Sequence, residues 1–280
     1  MRHQILLVCA GLLIFSACEP PVEAPEETGE LTRYLFANFG SETGAELAAG
    51  AVNLESYLTT VDLTLEDKDR AVTLPALTAD YLGGATMPDG VEADAQVPVG
   101  VTNRSANDID AALTLITDPN QVCIANDSYL FYERTFDGDT GCFVDGTCTE
   151  LTGTAQIRYE SLLAKIWIDE YQEFRRVELE DGRTAVYQRG YTDQSFLSDN
   201  EESSWDQRFT LNVWIPDADD NSKTWRFLAF WSSVQMPLIT DDAYANLVAE
   251  GIDEGFVNED AFLAGEECKN DRDAQPEDLE

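Results

Sequence analysis

The sequence predicts an α+β protein built on a strongly aromatic antiparallel β-sheet, which forms a sandwich or a curved half-barrel. A helical segment precedes the sheet, and two short helices follow it. Three observations support this fold class. Apolar residues recur at helical spacing within residues 31–60, they alternate with polar residues in several runs between 129 and 236, and two of those runs fold back around turn residues. Hydrophobic residues make up 44% of the 280 residues, so the chain can bury a core.

The helical segment at residues 31–60 carries one stripe of apolar side chains, which we expect to pack on the core. The stripe consists of Leu47, Ala51, Leu54 and Leu58. Residues 61–121 have a shorter periodicity and predict short strands and loops. The alternating residues in that region are Val97, Val99 and Val101, followed by Leu113 and Leu115.

Residues 129–136 predict an aromatic-rich strand, and residues 137–148 predict a loop that two cysteines close. The apolar spacing of residues 154–169 fits a helix and a strand equally well. We predict a strand there, because the strongest β pattern of the chain follows directly.

A hairpin is predicted over residues 173–191, with Asp181-Gly182 at its tip. This pair is preferred in two-residue type I′ turns. Such a turn would place Val177 opposite Val186 and Arg176 opposite Tyr187.

A second hairpin is predicted over residues 205–236. Its second strand is apolar on both faces, which is typical of a central strand. Some of its aromatic side chains could line a pocket for an apolar ligand instead of filling a solid core. The pocket candidates are Trp214, Phe230 and Trp231, and the alternative is that all three belong to the core.

The two closing helices are predicted from capping residues. Thr240 would cap the first helix, which ends at Gly251, and Asn258 would cap the second, which ends at Gly265. No repeat or internal Pro-rich linker interrupts the chain. We therefore predict a single globular domain over residues 31–268 and an acidic tail over residues 269–280.

The N-terminus predicts export. Residues 1–17 combine a positively charged start, an uncharged apolar stretch and small residues, as a secretory signal peptide does. The apolar stretch is too short for a membrane-spanning helix, which needs about 20 residues. An ordinary cleaved signal and an uncleaved anchor are the alternatives.

The segment Phe15-Ser16-Ala17-Cys18 resembles the lipobox of bacterial lipoproteins, in which the cysteine becomes the mature N-terminus and carries the lipid. The resemblance implies lipidation at Cys18 and attachment to a bacterial membrane, for which we predict the outer membrane. Residues 18–30 are acidic and Pro-rich and cannot bury a core, so they predict a tether between the anchor and the domain.

Four of the six cysteines remain after the signal and the lipid site are set aside. An even number in an exported chain predicts two disulfides, although four cysteines allow three connectivities. We expect Cys142–Cys148 to close a tight loop and Cys123–Cys268 to tie the C-terminal segment to the sheet. A cysteine metal site is disfavoured because the sequence contains no C-x-x-C pair.

Charge and histidine content exclude several functions. The formal net charge is −37, and such a field repels nucleic acid, so we expect no nucleic-acid partner. The one histidine, His3, lies within the predicted signal. A mature chain without histidine cannot form a Ser-His-Asp triad or a His-ligated zinc site. Carboxylate chemistry, oxygen-ligated Ca²⁺ or Mg²⁺, and binding without chemistry remain open.

Two acidic loops resemble calcium loops but lack the usual glycine. One lies at residues 137–145, and the other contains Asp217, Asp219 and Asn221. A disulfide-closed turn and a solvated acidic turn are the alternatives that we favour. No cofactor is therefore expected, with Ca²⁺ as the one possibility.

Three functions fit these observations. The first is a lipid-anchored envelope protein with a non-enzymatic binding or structural role, which would hold an apolar ligand or an envelope protein partner. The second is a carboxylate-dependent glycoside hydrolase, which needs only two acidic residues about 5–9.5 Å apart. The third is a Ca²⁺-dependent adhesion or interaction module. We favour the first, because the sequence contains no catalytic motif.

Overall fold

A computed structural model describes residues 22–161 and 164–279 of the chain. Within these residues the fold is α+β, as the sequence predicts, with helices before and after one antiparallel sheet. The helices are α1 (Thr28–Ala37), α2 (Ala45–Leu58), α3 (Asp67–Arg70), α4 (Ile109–Ile116), α5 (Thr140–Asp145) and α6 (Asp241–Leu263). The strands are β1 (Val72–Thr73), β2 (Val97–Ser105), β3 (Tyr129–Phe136), β4 (Glu150–Glu160), β5 (Lys165–Glu178), β6 (Thr184–Tyr191), β7 (Phe196–Leu197), β8 (Ser204–Pro216) and β9 (Thr224–Gln235).

The sheet has the strand order β1-β2-β9-β8-β6-β5-β4-β3, and the short strand β7 pairs with β8. Each neighbouring pair is antiparallel. Strands that follow one another in the chain, such as β5–β6 and β8–β9, are joined by short connections. The long pair β8–β9 lies inside the sheet, flanked by β6 and β2, which agrees with the prediction of a central strand.

One face of the sheet forms a dry core with α1 and α2. The predicted stripe on α2 is fully buried there, and it packs on apolar side chains of β8 and β9. These sheet residues are Phe209, Leu211, Val213 and Ile215 on β8, and Trp225, Phe227, Ala229 and Trp231 on β9. Because alternate residues of a strand point to opposite faces, this face takes the odd-numbered positions from Phe209 to Ile215 on β8 and from Trp225 to Trp231 on β9. The register shift between Trp205 and Gln207 moves Trp205 to the opposite face.

The opposite face is covered by α4, α5 and α6, and it is chemically mixed. Apolar clusters lie at its two ends, around Phe174 and around Phe230. Between them, polar side chains of β5, β6 and β8 are buried. The helix α6 lies over this region and packs along β2.

The first predicted hairpin forms, but its register differs by one residue from the prediction. Val177 pairs with Ala185 and Arg176 pairs with Val186. The tip is a three-residue loop, in which the amide of Leu179 donates to the carbonyl of Arg183 (2.8 Å) and Gly182 is left-handed (φ 85°). Three-residue hairpin turns commonly have a left-handed residue at the third position, and Gly182 takes that position here. The Asp181-Gly182 pair is therefore compatible with this turn as well as with the predicted two-residue turn.

The predicted strand through Leu113 and Leu115 is wrong, because these residues belong to helix α4. Asp108 caps the helix by accepting a hydrogen bond from the amide of Ala111 (2.9 Å). Two alternating leucines are too short a pattern to define a strand, and the adjacent apolar residues complete a helical stripe instead.

The two predicted C-terminal helices are one continuous helix, α6, which is a correction to the prediction. Thr240 caps it as expected, accepting from the amide of Ala243 (3.3 Å), and Gly265 follows its end with φ 82°. Gly251 lies inside the helix, where an added Cβ would come 2.7 Å from Asn126 Nδ2. The glycine therefore permits a close approach of the 120–128 loop, and it does not end the helix.

The first helix begins at Thr28, inside the stretch 18–30 that the sequence assigns to the tether. At the other end, residues of the predicted acidic tail contact the domain. Asn270 Nδ2 donates to the carbonyl of Val122 (3.1 Å), and Arg272 forms an ion pair with Asp118. None of the helices in the described ranges is both long and apolar enough to span a membrane.

Candidate functional site

A cavity of about 670 Å³ lies between the mixed face of the sheet and helix α6. Strands β3, β5, β6, β8 and β9 form its floor, and α4, α6 and the 120–128 loop form its walls. Cavities that bind drug-sized molecules have volumes of roughly 300–1,000 Å³. The space is therefore large enough for one small organic ligand.

Much of the cavity wall is aromatic, and its rings contact one another in sequence. Tyr129 and Tyr159 meet with centroids 5.7 Å apart, Tyr159 and Trp205 at 5.2 Å, and Trp205 and Phe230 at 6.2 Å, each with edge-to-face geometry. Such contacts between rings fix the orientation of the side chains. Helix α6 adds aliphatic side chains opposite them, among which Val248 and Ile252 pack on the same cluster.

A buried ion pair lies in the floor. Glu170 on β5 and Arg208 on β8 are both almost fully buried, and their side chains are bonded directly. Arg208 Nη1 also donates to the hydroxyl of Tyr129 (3.1 Å), and Glu170 Oε1 accepts from Gln172 Nε2 (3.0 Å). The guanidinium lies 4.9 Å from the centroid of Phe230. A buried charge pair of this kind is tolerated because several hydrogen bonds satisfy it.

Gly190 on β6 provides the room for this ion pair. A Cβ at that position would lie 2.3 Å from Glu170 Oε1 and 2.4 Å from Thr210 Oγ1. Any larger residue would displace the carboxylate or the hydroxyl. The absence of a side chain at Gly190 therefore allows Glu170 and Thr210 to occupy their positions in the cavity floor.

Three polar groups of the lining have no hydrogen-bond partner in the described protein. They are the hydroxyl of Thr210, the indole Nε1 of Trp205 and the Nε atom of Arg134. Buried polar groups are normally paired, and an unpaired one costs about 1–3 kcal/mol. A ligand or water in the cavity would supply the missing partners.

A second cluster of polar side chains, formed by Arg134, Gln188 and Asn212, occupies the part of the floor nearest α4. Arg134 on β3 donates from Nη1 to the carbonyl of Ile116 (2.8 Å) and lies near Gln188 Oε1 (3.4 Å). Asn212 Nδ2 donates to the same amide oxygen of Gln188 (3.3 Å). The cavity thus offers donors and acceptors beside its aromatic wall.

Ion pairs and hydrogen bonds hold the C-terminal half of helix α6 to neighbouring elements. Arg70 pairs with Asp253 (2.5 Å), and Arg226 pairs with Glu259 and with Asp260 (3.1 Å). Asn258 Nδ2 donates to the carbonyl of Ala125 (2.8 Å), which ties the helix to the 120–128 loop. These contacts fix one wall of the cavity.

Burial shifts the titration of several lining groups toward their neutral forms. It raises the pKa of Glu259, and Arg226 only partly offsets this effect. Burial also raises the pKa values of Glu254, Tyr159 and Tyr244. Burial thus disfavours the charged forms of these lining groups.

The edge of the cavity near the start of α6 is apolar and partly exposed. Met236, Ile239 and Leu247 line it, and Leu247 is 54% exposed. The neighbouring Leu238 is fully exposed, with φ 70°. An apolar ligand would meet these side chains at the opening.

Of the three pocket residues predicted from the sequence, Trp214 and Phe230 line the cavity. Trp231 does not, and this is a correction. It is fully buried in the core on the other face, where its ring lies 5.7 Å from that of Phe36 and its Nε1 donates to the carbonyl of Pro75 (2.9 Å). Phe230 and Trp231 are adjacent on one strand, so they point to opposite faces.

Arg134, Glu170 and Arg208 also line the cavity, and the sequence does not predict them as site residues. A signal for Glu170 exists, because it continues the inward-facing series of Ile166 and Ile168 on β5. A charged residue at an inward-facing strand position indicates a buried polar site.

The structure contains both expected disulfides, Cys123–Cys268 and Cys142–Cys148. The first joins the cavity-wall loop to the segment after α6. The second closes the turn that contains α5. The proposed lipid site, Cys18, lies outside the described residues.

The carboxylates of the two calcium-like loops are bound by protein donors. Asp217 forms an ion pair with Arg104 and accepts from the amide of Asp219 (2.9 Å). Asp139 accepts from the amide of Gly141 (2.9 Å) and caps α5. No group of three or more potential metal-ligating side chains occurs in the part of the chain that the structure describes. Calcium binding by Asp217, Asp219 and Asn221 stays a prediction.

No family model and no curated protein matches the sequence. Several solved structures resemble the fold weakly. A STAR-related lipid transfer protein from Xanthomonas axonopodis is 14% identical, with a TM-score of 0.42 over 60% of this chain and 85% of that chain. A START superfamily protein from Mycobacterium smegmatis is 9% identical, with a TM-score of 0.37 over 60% of this chain and 97% of that one.

The lipid transfer and protein localization domain of human StarD13 is 6% identical, with a TM-score of 0.35 over 59% of this chain and 76% of that chain. Likenesses of this strength carry no argument about function. The functional inference therefore depends on the cavity itself.

Proposed function

We propose that this protein is a non-enzymatic carrier of an apolar or amphipathic small molecule and that a lipid on Cys18 holds it at a bacterial membrane. The observation that supports carriage is the cavity of about 670 Å³ between the sheet and α6. A domain with a solid core would have filled this space with side chains, because protein interiors are close-packed.

The composition of the lining supports an amphipathic ligand. Aromatic and aliphatic side chains would contact its apolar part. The unpaired hydroxyl of Thr210 would bond to a polar group of the ligand. Pockets that bind small molecules commonly combine a mostly apolar wall with a few placed polar groups.

The anchor and the carrier function support one another. An apolar ligand is poorly soluble in water, so a domain tethered at a membrane meets its ligand where the ligand is concentrated. The residues that precede Ala24, whose carbonyl accepts from Asn53 Nδ2 on α2 (2.9 Å), would provide the tether. We propose export and attachment to the outer membrane for the same reason, together with the lipobox-like segment.

The carrier proposal is tested with a neutral fluorescent probe, N-phenyl-1-naphthylamine, titrated into the purified protein. We expect saturable binding of one probe per chain. The substitution Val248→Trp places a large side chain on the α6 wall and should abolish most of the binding. Val52→Trp is the matched control, because Val52 is half exposed on α2 and far from the cavity lining.

Equal binding by the two tryptophan variants, or no saturable binding by the unmodified protein, would overturn the proposal. If Val248→Trp does not fold, Ile252→Phe provides a smaller change on the same wall. Mass spectrometry of protein purified from its own membranes provides an independent test, since a carrier should retain its ligand under native conditions.

The anchor is tested by the denatured intact mass of the same preparation. We expect a chain that starts at Cys18 and carries acyl groups. The variant Cys18→Ser should leave the membrane fraction. An unlipidated chain that remains in the membrane fraction would overturn the anchor proposal and leave the carrier proposal intact.

The glycoside hydrolase and calcium-module alternatives remain predictions. Of the acidic residues in the cavity, Glu170 and Glu259 are both engaged by arginines. No contact in the described residues favours either alternative over ligand carriage.

A further inference from the structure

Six arginines are almost fully buried in the described part of the chain, and they differ in one respect. Five of them form an ion pair with a carboxylate. These are Arg158, Arg175, Arg189, Arg208 and Arg226. The sixth, Arg134, lines the cavity with only 6% of its surface exposed and forms no ion pair.

The groups that hydrogen-bond to the Arg134 guanidinium are neutral, and its charge acts at longer range on Glu259, a carboxylate that is bound to Arg226. Arg134 Nη1 donates to the carbonyl of Ile116 (2.8 Å), and Nη2 lies 3.4 Å from both the Tyr132 hydroxyl and Gln188 Oε1. Aromatic rings of Tyr132 and Phe174 lie 5.4 Å from its central carbon. The Nε atom is buried without any hydrogen-bond partner.

Two of the four carboxylates that line the cavity are bonded to other arginines. Glu170 is bound to Arg208, and Glu259 is bound to Arg226. A buried charge without a counter-ion is costly, and such charges in proteins are normally paired. Although the chain has a net charge of −37, no carboxylate of the described residues forms an ion pair with Arg134.

We propose that Arg134 binds the anionic head group of the ligand, a carboxylate or a phosphate monoester, while the aromatic wall holds its hydrocarbon part. This inference rests on the carrier function proposed above and specifies the class of ligand. The guanidinium geometry suits both kinds of anion, since it can present two parallel N–H donors to two oxygens.

The neighbouring side chains fit this assignment. Asn212 and Thr210 lie on β8 and line the same floor, and each offers a hydrogen-bonding group. Thr210 Oγ1 has no protein partner. The head group would therefore meet one cation and neighbouring neutral polar groups in place of bulk water.

The test measures competition against N-phenyl-1-naphthylamine by four ligands with the same hydrocarbon chain. Oleate and oleyl phosphate carry an anionic head, whereas oleyl alcohol and methyl oleate are neutral. A hydrogen bond to a charged group contributes about 1.5–3 kcal/mol, which corresponds to a ratio of roughly 10–100 in Kd. We expect oleate or oleyl phosphate to bind more tightly than the neutral pair by that factor, and the stronger of the two identifies the head group.

Variants of Arg134 separate charge from shape. Arg134→Gln should reduce the preference for the anionic ligands over the neutral ones to less than about threefold. Arg134→Lys should retain a preference. Arg158→Gln is the matched control, because Arg158 is equally buried on the adjacent strand but pairs with Asp199 and does not line the cavity.

Two outcomes overturn the assignment. One is equal binding of all four ligands by the unmodified protein, and this measurement needs no variant to fold. The other is an unchanged anionic preference in Arg134→Gln. If none of the four ligands nor the probe binds, the carrier function itself fails, so the two failures are distinguishable.

Discussion

The disulfide Cys123–Cys268 should stabilise the protein more than the disulfide Cys142–Cys148. The first connects the cavity-wall loop to the segment after α6, and its cysteines are 145 residues apart in sequence. The second closes a turn whose cysteines are only 6 residues apart. The double variants Cys123→Ser/Cys268→Ser and Cys142→Ser/Cys148→Ser remove one bond each and serve as controls for one another.

The expected magnitudes follow from the entropy that each cross-link removes from the unfolded chain. At 25 °C the chain-entropy relation gives about 5 kcal/mol for the long loop and about 2 kcal/mol for the short one. Single domains are stable by about 5–15 kcal/mol in total. Loss of the long-loop bond should therefore remove a large part of the free energy of unfolding.

Urea unfolding followed by tryptophan fluorescence measures both variants against the unmodified protein. We expect the long-loop variant to be less stable than the short-loop variant by about 3 kcal/mol. Equal losses, or a larger loss for the short loop, would refute the reasoning. In that case local packing around the cysteines, and not loop length, would determine the stabilisation.

Three further predictions concern single side chains. Gly190→Ala would place a methyl carbon 2.3 Å from Glu170 Oε1, so we expect the free energy of unfolding, measured with urea, to fall by about 1–3 kcal/mol. Gly40→Ala is the control, because no atom lies within 4 Å of the new carbon, and it should leave the free energy of unfolding nearly unchanged. Equal effects of the two alanines would contradict the steric explanation. Arg208→Met leaves Glu170 buried without its partner and should cost about 3–5 kcal/mol, and adding Glu170→Met should recover much of that loss. A double variant no more stable than the single one would contradict this account. The pKa of Asp220 falls to about 2, mainly because Lys223 donates a side-chain hydrogen bond to its carboxylate. Because this folded value lies below the usual value of 3.8, the stabilisation by Asp220 is complete above about pH 4 and is lost as the pH falls toward 2. Asp220→Asn should therefore lose less stability than the unmodified protein between roughly pH 5 and pH 2.5 in urea midpoints, and an identical loss would contradict the prediction.

The sheet could be predicted from the sequence because each strand must keep one face dry. On β8 the alternation of Phe209 and Leu211 with polar neighbours is a local pattern with a period of two residues, and it survives in any arrangement of the rest of the chain. The sequence does not define the register of the first hairpin as clearly as it defines the strands. Asp181-Gly182 fits two turn lengths, and only the cross-strand contacts select between them.

The continuous helix α6 could not be predicted for a related reason. A glycine in the middle of a helical pattern either ends the helix or makes room for a neighbour. Gly251 makes room for Asn126, which is 125 residues away in sequence, and no local pattern contains that contact.

The cavity was predicted only in part. The sequence indicates Trp214, Phe230 and Trp231 as candidates because they are aromatic residues of the second hairpin, and two of the three line the cavity. The sequence alone does not show which face of the sheet carries the cavity. It does not indicate Arg134, Glu170 or Arg208, since inward-facing charged residues can belong to a dense buried network as well as to an open space. The distance between α6 and the sheet decides between the two, and it depends on packing over the whole domain.

The alternation along β8 separates residues of the dry core from residues that line the cavity. Leu211 and Val213 belong to the dry core under α2, whereas Thr210 and Asn212, one residue away, line the cavity. Substitutions at Thr210 or Asn212 would therefore alter the chemistry of the cavity and leave the side chains of the dry core unchanged. The composition of the cavity and the packing of the core can thus change independently along this part of one strand.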